Sequence, residues 1–418
     1  MTQLQERSSG RQIHSLSGMC DLDTQTWRRS DDVLAGLRSH MGAWEYHPID
    51  TPLLEETELF VRKAGGDLSG QLYNFTDPGG TPVSLRPEFT SSVIRHYIDN
   101  EQSLTPPVRW QYSGPVFRYD ATGQGSYRQF TQCGAELVGA SGFDADIEII
   151  SLAVSGLYGV GLSDFRLRIG HLGVLRALLG EFGLSEPARL FIIGNIDALR
   201  TGDADVQGLM EHAGEVGLLS GDVDLGLGLE TALESMSAES AEEFILGVLK
   251  ESMPEPLGRR ATDQIIARLL SKVRDANCPD AFRRALSLAA AFSRLDGAPR
   301  VVLQSARDAA ESSGVDAAPL DELASLAERL PDLGIAKSRI TLDMGMARGI
   351  SYYTGIVFEI AHDSGAAVGG GGRYDDLVQA LGGSASVPAM GFAYNVNVLL
   401  DLLPGDARAV NGVGADGV

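Results

Sequence analysis

Between residues 24 and 41 the apolar residues Trp27, Val33, Leu34, Leu37 and Met41 recur at the spacing of one helix face, which predicts an amphipathic helix. The next segment, His47-Pro48-Ile49-Asp50-Thr51-Pro52, reads as extended, and its prolines suit a sheet edge or an interface rather than a central strand. Residues 55–62 read as helix. Leu72-Tyr73-Asn74-Phe75 and Val83-Ser84-Leu85 read as strands joined by the turn Asp77-Pro78-Gly79-Gly80, and residues 89–99 return to helix. Residues 108–119 and 127–139 are β-like runs around a glycine-containing tip at 120–126, which predicts a long hairpin. Strands flank helices here without regular βαβ alternation. That favours an α+β fold with a mixed, largely antiparallel sheet flanked by helices.

The pattern changes between about residues 172 and 330. Ile265, Ile266, Leu269, Leu270 and Val273 form a helical stripe, as do Leu320, Leu323, Leu326 and Leu330. Ser240 and Glu243 have capping-box spacing ahead of Phe244-Ile245-Leu246. Pro254, Pro256 and Pro331 punctuate the gaps, and β character returns after Ile340. The expected organisation is a core in two parts, residues 1–184 and 336–405, interrupted by a helical insertion domain at 185–335. Residues 406–418 read as a flexible tail.

Composition narrows the class. A chain of 418 residues has room for two or three domains. A formal net charge of -22 repels phosphate backbones, so broad nucleic-acid binding is disfavoured without a local basic patch. Cys20, Cys133 and Cys278 are too few and too scattered for a disulfide framework or a CxxC metal site. The seven histidines show no HExxH or similar ligand spacing, so neither a metal nor another cofactor is expected. No apolar run approaches the ~20 residues of a membrane helix, and the first twenty residues lack a signal-peptide core. The expected location is cytoplasmic, with no membrane partner.

Candidate chemistry gathers in five places. Period two puts Arg128, Phe130, Gln132, Gly134 and Glu136 on one face of the second hairpin strand, a set suited to a flat polar ligand or simply to water. Glu88 and Thr90 precede a helix, where a carboxylate can hold an ammonium group or Thr90 can cap the helix. Arg118 and Arg348 are forks for a carboxylate or phosphate, or else surface ion pairs. In Tyr352-Tyr353 strand alternation would turn only Tyr353 to a pocket and Tyr352 to the core. The tract Gly369–Gly372 lacks a GK[ST] ending, so close backbone approach to a ligand or a neighbouring strand suits it better than a phosphate loop.

The order of these motifs is more specific than any one of them. LRPE-x-T, GPVFRY-x(8)-RQF-x-Q-x-x-x-E, RG-x-x-YYTG-x-VFE, GGRYD and GFA together resemble the catalytic core of class II histidyl-tRNA synthetases, over about residues 13–175 and 338–403. The resemblance implies a histidine-binding set of Glu88, Thr90, Arg118, Gln132, Glu136, Arg348, Tyr353 and Tyr374. It also implies a class II synthetase-like fold and, through the segment around Pro48 and Pro52, a homodimer core.

The departures are equally informative. In the synthetases GFA opens a helix carrying an arginine that packs on ATP. Here residues 391–398 read GFAYNVNV, with Val398 at the arginine's place and Asn397 at a glutamate's. The hairpin loop has Asp120-Ala121-Thr122 for Glu-Arg-Pro and Ser126 for an arginine, and Ser351 replaces an aspartate. The C-terminal anticodon-binding domain is expected to be absent. With the histidine pocket kept and ATP-binding cations lost, the chain most resembles the synthetase-like regulatory subunits of ATP phosphoribosyltransferase. That resemblance implies a subunit without catalytic activity of its own, in a hetero-oligomer with the short catalytic subunit, binding L-histidine for feedback control of histidine biosynthesis. tRNA is not an expected partner. The alternative is a synthetase-like ligase that activates histidine or another amino acid with ATP.

Overall fold

A computed structural model describes residues 13–62, 70–119, 127–219, 277–346 and 352–404. The predicted Ile265–Val273 stripe, the Ser240–Glu243 capping box and the hairpin tip lie outside the described residues, as does Arg348.

Helix α1, Thr24–Ala43, starts where the Asp23 side chain accepts from the Thr26 N–H at 2.7 Å. It buries Ser30, Val33, Leu37 and Met41. Trp27 does not join that stripe and is 56% exposed, because residues 24–28 are exposed throughout and the buried face begins at Ser30. Strand β1 (His47–Pro48) is an edge strand paired in parallel with β5 (Val108–Phe117), so the proline-bearing segment sits where prolines are tolerated. Strand β2 (Leu54–Glu56), helix α2 (Thr57–Val61), β3 (Asn74–Thr76) and β4 (Pro82–Leu85) follow. The helix expected over 55–62 is therefore shorter, because pairing of Leu54 with Leu85 and Glu56 with Val83 takes residues 54–56 into a three-stranded sheet, order β2-β4-β3.

Helix α3 (Thr90–Asn100), β5, β6 (Gln129–Val138), helix α4 (Phe143–Gly159) and β7 (Phe165–His171) come next and contribute three strands to the larger sheet. Unbroken pairing from Val108↔Val138 to Phe117↔Gln129 makes β5 and β6 the long hairpin that their alternation predicts. Further along the chain come β8 (Asp296–Gly297), β9 (Ile340–Asp343), β10 (Ile356–His362), β11 (Ala367–Arg373) and β12 (Ala389–Asn395). The nine strands are ordered β1-β5-β6-β12-β11-β10-β7-β9-β8, with β1–β5 and β7–β9 parallel and the other pairs antiparallel. This is the mixed, largely antiparallel sheet that the sequence predicts.

One element differs in kind. Residues 391–395, read as the start of a helix, are strand β12, paired with β6 on one side and β11 on the other. The helix begins only at Val396, where the Asn395 side chain accepts from the Val398 N–H at 3.2 Å.

Compactness divides the chain into two units. The first holds 1–173, 296–300 and 322–418, including both sheets; the second holds 174–295 and 301–321. Helices dominate the described part of the second unit. Phe282, Leu286 and Phe292 of helix Pro279–Phe292 are buried, with Ile192 of Glu186–Gly194 and Leu199 of Ile196–Thr201. Phe191 and Phe282 lie 6.1 Å apart, centroid to centroid. Leu320, Leu323, Leu326 and Leu330 are all buried, as their spacing predicts. Among the described residues no helix is long and apolar enough to cross a membrane.

Candidate functional site

Four glycines gather on one face of the middle strands of the large sheet. Register aligns Trp110, Glu136, Gly391, Gly372 and Val357 across β5, β6, β12, β11 and β10. The next row is Tyr112, Gly134, Ala393, Gly370 and Glu359. Paired residues share a face, so Gly134, Gly370, Gly372 and Gly391 leave a trough along that face. The other face carries Cys133, Ala135, Leu137 and Tyr394, all buried, with the Tyr394 hydroxyl donating to Ala153 O of α4 at 2.5 Å. The glycine tract is thus a strand, and its absent side chains are the feature that matters. A methyl at Gly372 would lie 2.7 Å from Ile356 O and 2.8 Å from the Tyr353 ring. One at Gly391 would overlap the Glu136 carboxylate. Gly391→Ala is therefore expected to cost about 1–3 kcal/mol, read in urea denaturation as a lower midpoint at unchanged slope.

Above the trough lies a cavity of about 640 Å³, lined by Glu88, Thr90, Arg118, Gln132, Tyr353 and Tyr374 among others. Six of the eight residues singled out from the sequence are therefore together. Glu136 lies directly beneath the lining, fully buried, and Arg348 is outside the described residues. Tyr352 is buried in the core, as expected, but it also lines the cavity, so the pair does not divide between core and pocket. Strand β10 starts only at Ile356, so alternation does not govern the pair, and the Tyr352 ring packs edge-on against both Tyr353 (5.1 Å) and Tyr374 (5.7 Å).

The start of α3 supplies two groups whose roles differ from simple capping. Glu88, not Thr90, caps the helix: its carboxylate accepts from the Ser91 N–H at 3.2 Å. That frees the Thr90 hydroxyl to donate to Glu136 Oε1 at 2.7 Å. Tyr112 donates to the same oxygen at 3.0 Å, and Tyr374 donates to Oε2. Burial raises the Glu136 carboxyl to about 7 although three hydroxyls pull it down; the nearby Glu88 charge adds to the rise. Burial likewise raises Glu88 against the pull of Ser91 and Arg118. Arg118 donates from Nε to Pro87 O at 2.9 Å and stacks over Phe130 at 5.4 Å. Gln132 Oε1 is buried with no hydrogen-bond partner among the described residues.

Sequence reasoning missed Tyr112, Gln71, Glu359 and Asn395 as lining residues. Tyr112 was within reach, because period two from Arg118 along β5 leads back through Val116 and Gly114 to it. Glu359 needed the register, which sets it opposite Gly370 and lets it pair with Arg168 at 3.3 Å.

Chemically the site is acceptor-rich. It can take an ammonium group and ring N–H groups at the Glu88–Glu136 end, with Arg118 the one lysine, arginine or histidine among the described residues lining it. Among the described residues no cluster of three or more His, Cys, Asp or Glu could hold a metal ion.

The comparisons with known proteins bear on the family and the fold. A family model described as histidyl-tRNA synthetase matches residues 18–215 and 200–399. A histidine–tRNA ligase of Thermococcus kodakarensis is 30% identical over 394 residues, covering 94% of this chain and 74% of the relative. One of Pyrococcus horikoshii is 32% identical over 394 residues, covering 94% and 75%. Among solved structures, a protein described as an ATP phosphoribosyltransferase regulatory subunit/histidyl-tRNA synthetase from Bacillus halodurans C superposes with a TM-score of 0.64 at 23% identity, over 95% of this chain and 84% of that one. A histidine–tRNA ligase subunit from Alicyclobacillus acidocaldarius gives 0.57 at 25% identity, over 94% and 98%. The fold is that of class II aminoacyl-tRNA synthetase-like proteins.

Proposed function

The chain belongs to the histidyl-tRNA synthetase family, and we propose that within it this protein is a non-catalytic, L-histidine-binding regulatory subunit of ATP phosphoribosyltransferase. The observation that carries the histidine reading is the acceptor-rich end of the cavity: the Glu88 and Glu136 carboxylates, three hydroxyls and the unpartnered Gln132 Oε1. Histidine brings an ammonium group and a ring N–H to such a surface, and its carboxylate suits Arg118. Arg348 completes the set in sequence.

Two features support the regulatory half. Val398 stands half-buried in the first turn of helix Val396–Leu402, and Asn397 accepts from the Thr131 N–H at 2.8 Å; neither brings a cation to the trough. The Bacillus halodurans neighbour is described as an ATP phosphoribosyltransferase regulatory subunit/histidyl-tRNA synthetase, a description that includes the regulatory role. Histidine then controls a catalytic partner by binding two states of the assembly unequally. The partner is the short catalytic subunit, assembled on a homodimer core; exposed Leu53, Leu54 and Phe75 are available to such contacts. The helical segment 185–335 is an inserted domain in this reading. A second reading, a ligase that activates an amino acid with ATP, is favoured by the names of the curated relatives.

Calorimetry is expected to give saturable L-histidine binding and a rise in melting temperature. Co-purification with the short catalytic subunit is expected to persist, with histidine changing that subunit's activity. Absence of histidine binding at millimolar concentration would overturn the proposal.

A further inference from the structure

Three hydroxyls from three separate elements converge on one carboxylate. Thr90 comes from α3, Tyr112 from β5 and Tyr374 from the residue after β11. Oε1 takes two of them, so both of its lone-pair sites are used. Oε2 takes the third and lies against Gly391, where no side chain fits. Three of the carboxylate's roughly four acceptor sites are thus taken by protein hydroxyls, and each of those spends its single hydrogen on Glu136. What each offers the cavity is lone pairs.

Tyr112 is held firmly for this task. Its ring stacks on Phe89 at 4.3 Å and 10°, and Phe89 is covered in turn by the Arg86 guanidinium at 3.8 Å. Arg86 is fixed by Pro115 O at 2.9 Å and Thr51 O at 2.6 Å.

We propose that Tyr112 is a ligand-selecting residue of this cavity, one of three hydroxyls whose donor–acceptor polarity is set by Glu136 as a positioning residue. The inference takes the identity of its ligand from the histidine reading and the rest from geometry. A charged Glu136 makes the inner end of the cavity an all-acceptor surface, which selects ligands that bring N–H donors. A protonated Glu136 must itself donate. One hydroxyl then turns to accept, and its hydrogen faces the ligand's N–H. The groups facing Glu136 are Thr90, Tyr112, Tyr374, Tyr352, Tyr46 and Glu88. The tyrosine hydroxyls stay protonated, because burial and the carboxylates raise them. With its carboxyl raised to about 7, Glu136 changes charge around neutrality, and the neighbouring Glu88 carboxyl is also raised by burial.

The test uses the whole chain and two probes, L-histidine and 1,2,4-triazole-3-alanine, whose ring stays neutral over the range. Triazolylalanine affinity is expected to be about thirtyfold weaker at pH 5.5 than at pH 8.5, the linkage of one proton to a group titrating near 7. Tyr112→Phe is expected to weaken binding about tenfold at pH 8.5. It should also move the pH midpoint upward, because the carboxylate has lost a donor. Glu136→Gln should bind weakly with a flat profile. In parallel, the Glu136 carboxyl is followed by 13C NMR in the ligand-free protein, assigned against Glu136→Gln. Binding that is independent of pH in the unmodified protein, or unchanged in Tyr112→Phe, overturns this inference and leaves the histidine reading intact. No binding of either probe at any pH overturns the histidine reading instead. The ligand-free titration then decides the hub alone: an upward shift in Tyr112→Phe supports it, and an unmoved midpoint overturns it.

Discussion

Arg373→Ala is expected to lower the unfolding free energy by about 3–5 kcal/mol. Arg373 ends β11 with its side chain 9% exposed, beside Asp146 at 8%. Nε and Nη2 both donate to Asp146 Oδ1, at 2.9 and 2.5 Å, and Nη1 donates to Ala140 O and Asp375 Oδ1, at 3.3 and 3.2 Å. Truncation leaves the Asp146 carboxylate buried with its cation gone, and that loss, more than the contact itself, sets the size of the effect. Burial already holds the Asp146 carboxyl up at about 6 while the guanidinium pulls it down. Without the guanidinium it rises further. A carboxyl raised in the folded state loses stability as pH climbs through its folded value. The variant is therefore expected to be damaged less at pH 5 than at pH 8, as urea denaturation at the two values would record. A double variant, Arg373→Met with Asp146→Leu, should recover most of the loss, since it leaves neither charge stranded. An equal loss at both pH values would mean that packing, not the stranded carboxylate, carries the cost. Because Tyr374 follows directly, the single change should also loosen the hydroxyl cluster on Glu136.

Local chemistry made much of this molecule legible. The β5–β6 hairpin showed in its alternation, the Asp77–Gly80 turn in its residue types, the edge position of His47–Pro48 in its prolines, and the Leu320–Leu330 stripe in its spacing. The failures have a common cause. Leu54–Glu56 and Gly391–Asn395 are strands because distant partners offer them hydrogen bonds, and no local propensity records that. Trp27 shows the converse: its spacing fits the apolar stripe, but no described residue buries the first turn of α1. Six of the candidate residues were found because motif order marked them, whereas Glu359 became visible only through register with Gly370. The hydroxyl cluster on Glu136 could not be read from sequence, since it joins residues 90, 112, 136 and 374.

The purified protein is expected to give no amino-acid-dependent ATP–pyrophosphate exchange. Adenylate formation needs the triphosphate charge neutralised and the α-phosphate positioned for attack by the amino acid carboxylate. Val398, Ala121 and Ser126 stand where the synthetases that this chain resembles carry cations. The helix that starts at Val396 presents Asn397 to the backbone of β6 instead of a charge to the trough. Arg118 is the one lysine, arginine or histidine among the described lining residues, with Glu88 and Glu359 as lining carboxylates and Glu136 just beneath. Losing one preorganised charge commonly costs about 3 kcal/mol, a factor of more than a hundred in rate. Losing three leaves at most a trace of activity. Val398→Arg should accordingly not restore a working rate, because two of the three cations are still missing. The decisive measurement is ATP–pyrophosphate exchange with each amino acid in turn, on protein whose histidine binding has been verified by calorimetry. No exchange with any amino acid, from protein that binds histidine, is the predicted result; exchange with histidine at the rate of a working synthetase would contradict it.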